Sequence, residues 1–158
     1  MSKPYELINP TATAPFLFSC EHASNDLPAD SDLGLSDELM ESHNAYDVYA
    51  RDITLACAEK LNATALLSIY SRLLIDVNRQ LGAENLIRDN IEGEPIPANV
   101  NLNEDQVQDR IQKYYQPFAN EAIAQLERLQ KETGKEPVTI AIHTYTRHHE
   151  AENKPRPW

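Results

Sequence analysis

The chain has 158 residues, enough for one domain with a real core, and its 41% hydrophobic and 25% charged content is that of a globular protein rather than a disordered one. A net charge of −11, with no basic patch to release counterions, argues against nucleic acid or an anionic membrane as partner. No apolar run reaches the roughly 20 residues of a membrane span, the first residues lack the apolar core of a secretory signal, and Cys20 and Cys57 are expected to be free thiols; a single cytoplasmic domain over 1–158 is the expectation.

In chain order, residues 1–15 read as an extended lead-in, because Pro4, Pro10 and Pro15 block a helix. Residues 16–20 form a short buried strand, and 21–35 a loop rich in Asp, Ser and Pro. Ser36 fits an N-cap with acidic residues in the first turn. Helical spacing of Val48, Ile53, Leu55, Ala56 and Leu61 predicts a helix from Ala45 to Leu61. Two apolar runs, 64–70 and 72–77, read as buried strands, and 78–102 as a long loop of the kind that is usually functional.

The clearest helix follows. Asn103 can cap it with Gln106 three residues on, and Gly134 stands where a C-terminal glycine belongs. Its apolar stripe runs from Val107 to Leu129, and Pro117 should kink or split it. Residues 138–145 make a last strand before the polar, proline-broken end, where His148 and His149 carry little signal. This order implies an α/β fold: a mixed, mostly parallel sheet with helices on both faces, of the phosphorylase/hydrolase-like kind. In such sheets ligands sit at the carboxyl ends of the strands.

Two strands end in histidine there. His22 and His143 each follow an apolar strand, and a strand-end imidazole is fixed by the sheet behind it, as a metal ligand needs to be. Either alone reads as an ordinary hydrogen-bonded histidine; two at matching places point to a site. For a third ligand, Asp47 on the following helix or the adjacent Glu21 is chemically favoured over Asn25, since carboxylate outranks amide at zinc. In "SRLLIDVNRQ", Arg72, Asn78 and Arg79 suit recognition of a carboxylate, with Asp76 pairing one of the arginines. Cys20 could act as a nucleophile with His22 or His143 as base, although only those histidines could lower its pKa.

These segments together resemble the N-formylglutamate amidohydrolase family. The matching motifs are "CEHASN-x-x-P" at Cys20–Pro28, "H-x-x-x-D" at His43 and Asp47, and "SRL-x-I-D-x-N-R" at Ser71–Arg79. "IPAN" at 96–99 and "IHTYT" at 142–146 complete the series, so the resemblance runs from residue 14 to 158. A more distant likeness to zinc carboxypeptidases implies that Asn78 and Arg79 clamp a substrate carboxylate, that Arg72 polarises a carbonyl, and that His22 and His143 bind zinc. The peptidase pattern has a glutamate where Asn25 stands. The family continues beyond "KPRPW" into strands that carry its glutamate base, so this chain is expected to be truncated relative to it, with Glu21 as the local substitute.

The resemblance therefore implies a zinc-dependent, or other divalent-metal-dependent, hydrolase of an N-acyl amino acid, best N-formyl-L-glutamate, as in histidine degradation. The assigned metal ligands are His22, Asp47 and His143; Glu21 and Arg72 act on the reaction, and Asn25, Asn78, Arg79 and Thr144 face substrate. The alternative is a catalytically poor relative serving as a metal- and carboxylate-binding module. The expected partner is a small anionic N-acyl amino acid, and an apolar surface left by truncation could be covered by a second copy of the chain.

Overall fold

The computed structural model describes residues 3–146. Four strands form one sheet: β1 (Tyr5–Ile8), β2 (Phe16–Cys20), β3 (Thr64–Ser68) and β6 (Val138–Ala141), in the order β1-β3-β2-β6. β2 pairs parallel with both β3 and β6, and β1 joins β3 antiparallel. The mixed, mostly parallel sheet read from the sequence is the fold found.

The apolar runs are continuous because the sheet is covered on both faces. Phe18, Cys20, Ala65 and Leu67 face helix α2 (Ala50–Lys60) with Ala50 and Ala58, while Leu17 and Leu66 pack with Phe118 and Leu129 of helix α4 (Gln116–Thr133). Consecutive residues of a strand point to opposite faces, so each strand supplies both layers.

Several elements depart from the sequence expectation. The lead-in contains β1, since Pro4 and Pro10 flank an edge strand rather than interrupt it. Ser36 does cap a helix, but α1 (Asp37–Met40) is a single turn. The helix expected from Ala45 begins at Ala50, after Tyr49 at φ 65°, which leaves Asp47 in the preceding turn. Residues 72–77 form turns instead of a strand. Leu73, Leu74 and Ile75 are buried as their apolarity demands, but side chains satisfy much of the backbone there. The Ser71 hydroxyl accepts from Leu73 N–H, while Asn99 and Arg110 donate to the Leu73 and Leu74 carbonyls. Continuous apolarity reports burial, not extension.

The loop over 78–102 holds only the two-residue strands β4 (Asn90–Ile91) and β5 (Glu94–Pro95). Helix α3 (Glu104–Arg110) opens on the expected capping box of Asn103 and Gln106. A π-helical turn, Ile111–Tyr115, then passes into α4, whose first turn carries Pro117. Proline has no N–H to return to the fourth residue back and its ring crowds that carbonyl, so the wider turn accommodates it. The turn also aims the Tyr115 hydroxyl at the Arg79 carbonyl, 2.8 Å away. Gly134, at φ 66°, ends α4. The final strand stops at Ala141, short of the expected 145, and His148 and His149 lie outside the described residues. No helix among the described residues is long and apolar enough to cross a membrane.

Candidate metal centre

β2 and β6 are parallel neighbours, and each carries a histidine two residues past its carboxyl end, His22 after Cys20 and His143 after Ala141. The sheet therefore delivers both imidazoles to one place: their ring centroids are 5.1 Å apart. Asp47 reaches the same place from the turn before α2, docked by its own N–H on the His22 carbonyl at 3.0 Å.

The contacts are specific. Asp47 Oδ2 lies 2.8 Å from His143 Nδ1 and 3.4 Å from His22 Nδ1. One donor atom from each of the three residues falls within 4.8 Å of the others. Tetrahedral bonds of about 2.0–2.1 Å put neighbouring ligand atoms about 3.3 Å apart, so two imidazole nitrogens and a carboxylate oxygen so spaced fit a divalent cation. The donor set suits zinc and several other divalent ions.

The outer nitrogen of each imidazole meets a second carboxylate. His22 Nε2–H donates to Asp76 Oδ1 at 2.7 Å, which leaves the lone pair of Nδ1 on the site. An Arg72 Nη1–H already points at that lone pair from 3.2 Å. On the other ring, Glu21 Oε2 stands 3.4 Å from His143 Nε2, and the Asn78 amide is 3.5 Å from the same nitrogen. His22, Asp47 and Asp76 are all buried, whereas the His143 side chain is 33% exposed, so the site opens on the His143 side.

Electrostatics follow from this packing. Burial alone would raise the Asp47 carboxyl, but hydrogen bonds to His143 and His22 and the Arg72 charge hold it well below the usual carboxylate range. Burial likewise opposes ionisation of Asp76, and the His22 contact overcomes it to lower that pKa. His22 is raised: burial works against its charged form, and the hydrogen bonds to Asp47 and Asp76 outweigh burial. Cys20, fully buried, has its thiol pushed up to about 11 by burial, which suits packing and not nucleophilic attack.

Arg72 is an anchor as well as a charge. Nε donates to the Asn44 carbonyl at 3.1 Å, and Nη2 serves the His43 carbonyl and Asp47 Oδ1. Nη1 is the nitrogen that faces the His22 imidazole. Arg79 Nε sits 3.4 Å from Asp76 Oδ2 with its side chain 41% exposed, so Asp76 does pair one arginine as expected while also holding His22. Asn78 is fixed through its N–H to Asp76 Oδ1 at 2.9 Å. Thr144 donates to the Val48 carbonyl at 2.7 Å, tying the loop after β6 to the Asp47 turn. Asn25 does not join the cluster; its amide donates to the Met40 carbonyl.

The sequence reading did not single out Asp76 as the partner of His22, although its place in "DVNR" was a signal. It also passed over Arg88, in the long acidic loop, which lines a cavity of about 170 Å³ with Asp47 and Arg72.

Comparison with known proteins agrees with the geometry. The sequence profile described as N-formylglutamate amidohydrolase matches residues 14–158. Among solved structures, a gene product from Agrobacterium tumefaciens superposes with a TM-score of 0.88 at 29% identity, over 94% of this chain and 59% of that one. The N-formylglutamate amidohydrolase from Ralstonia eutropha JMP134 shares the fold, with a TM-score of 0.76 at 20% identity over 99% of this chain and 64% of that one. The chain thus spans about three fifths of the length of these two structures. Comparison with curated proteins gives no match.

Proposed function

Since this chain belongs to the N-formylglutamate amidohydrolase family, we propose that it is a metal-dependent hydrolase that cleaves the amide bond of an N-acyl amino acid, N-formyl-L-glutamate to formate and glutamate. The observation that carries this reading is the convergence of His22, Asp47 and His143, with a carboxylate behind each imidazole.

His22, Asp47 and His143 would hold a divalent ion, zinc in the first instance, which would supply Lewis acidity toward the acyl carbonyl and toward water. The chain's own residues do the rest. Asp76 and Glu21 orient the two imidazoles. Glu21 lies at the outer nitrogen of His143, a position that supports orientation rather than proton transfer at the carbonyl. Arg72, anchored through Nε and Nη2, holds Nη1 at 3.2 Å from His22 Nδ1; with that nitrogen given to a cation, Nη1 is a fixed donor for charge developing on the carbonyl oxygen. Asn78 and Arg79, on the loop that Asp76 and Tyr115 hold, bind a substrate carboxylate.

Formate release from N-formyl-L-glutamate tests the reading. Turnover should require added zinc or a related ion, stop with a chelator, and fall at least about 100-fold in His143→Ala. Turnover that persists in the chelator, or in the variant at full rate, would remove the mechanism.

A further inference from the structure

The proposed substrate carries two carboxylates, and the Asn78–Arg79 loop accounts for one. The cavity of about 170 Å³ adjoining the metal centre has the chemistry for the other. Its wall includes Asp47 and Arg72 from the site, Thr144 and Thr146 from the loop after β6, and Arg88 from the long loop.

Three observations favour an anion there. Arg88 is half-buried, and among the described residues its guanidinium makes no hydrogen bond or ion pair; the residue is held instead through its backbone carbonyl, which accepts from Asn99 Nδ2. The guanidinium groups of Arg72 and Arg88 share one small cavity. The Thr146 hydroxyl is buried without a hydrogen-bond partner among the described residues. Asp47, the one carboxylate among the described residues of the wall, is paired with Arg72 at 2.8 Å. On its other side Arg88 borders a wider groove of about 710 Å³ lined by Glu84, Asp89 and Glu92, which repels an anion.

We infer that Arg88 is a specificity-determining residue: with Thr146 it receives the side-chain carboxylate of a dicarboxylic N-acyl amino acid, while Asn78 and Arg79 hold the α-carboxylate. This rests on the hydrolase reading, and it makes the enzyme selective for acidic over neutral acyl amino acids. A half-buried guanidinium lining a small cavity and left without its carboxylate is costly, so a neutral isostere is rejected.

The test pairs two readouts. In the first, formate release from N-formyl-L-glutamate and its neutral isostere N-formyl-L-glutamine is compared in the native chain, Arg88→Gln and Arg88→Lys. We expect Arg88→Gln to lose about 100-fold in kcat/KM for the glutamate substrate, mainly through KM, and to change less than about 3-fold for the glutamine one, with Arg88→Lys recovering part of the loss. The second readout needs no turnover: calorimetric binding of glutarate and of butyrate. Arg88→Gln should weaken glutarate at least about 10-fold and leave butyrate unchanged. Equal losses on both ligands of a pair, or no loss in either, would overturn the role of Arg88. A chain that binds glutarate in an Arg88-dependent way but releases no formate would overturn the hydrolase reading alone.

Discussion

At the scale of single residues, the account turns on carboxylates that hold imidazoles. Asp76 is buried, 2.7 Å from His22 Nε2, and its other oxygen faces Arg79 Nε at 3.4 Å. It fixes the proton on the outer nitrogen of His22 and so keeps Nδ1 available to a cation. Asp76→Asn keeps the shape and removes the charge, and should weaken zinc binding by about 10–100-fold while retaining one zinc per chain at saturation. Zinc titration by calorimetry reads this directly; unchanged affinity would mean that the His22 ring is oriented by packing alone. The two histidines were legible in the sequence because each ended an apolar run in the same way. Arg88 was not, because nothing local distinguishes an arginine that faces a cavity from one that faces water.

At the scale of elements, the long irregular stretch from Ser71 to Asn99 does the positioning that a strand was expected to do. Its segment Leu73–Asp76 is buried without ladder partners, so side chains must complete its hydrogen bonds. Asn99 donates to both the Leu73 and Arg88 carbonyls and accepts from Arg110, which makes it the clasp of the loop that bears Arg72, Asn78 and Arg79. Asn99→Ala should cost about 1–3 kcal/mol for each carbonyl it leaves unpaired, and a denaturation midpoint equal to that of the native chain would contradict the clasp. Such an element is hard to read in advance. "RLLIDV" has the composition of a buried strand, and the decision between strand and turn is made by Ser71, Asn99 and Arg110, two of which lie far along the chain. Helix α4 was easier, since its cap, stripe and terminal glycine are all local.

At the scale of the whole molecule, the parallel pairing of β2 and β6 is what brings residues 22 and 143 together, and the alternation of apolar strands with helices made that topology readable. The cluster also ties stability to pH. Asp47 and Asp76 are held below their ordinary pKa, so their contribution is complete above about pH 4 and is lost as pH falls through the depressed values. His22 is raised, so its contribution is complete below its ordinary value near 6.5 and is lost as pH rises through the raised one. Calorimetric melting of the chelated protein should therefore show Tm dropping steeply below about pH 4 and more gently on the alkaline side of neutrality; a Tm that holds steady on acidification would sever the cluster from the fold's stability. The most direct test of the account is the X-ray absorption of the zinc-loaded protein. It should show one zinc per chain bound by two imidazole nitrogens and a carboxylate oxygen at about 2.0–2.2 Å, with the signal lost in His143→Ala. Zinc bound through sulfur at about 2.3 Å, or an unchanged spectrum in that variant, would contradict it.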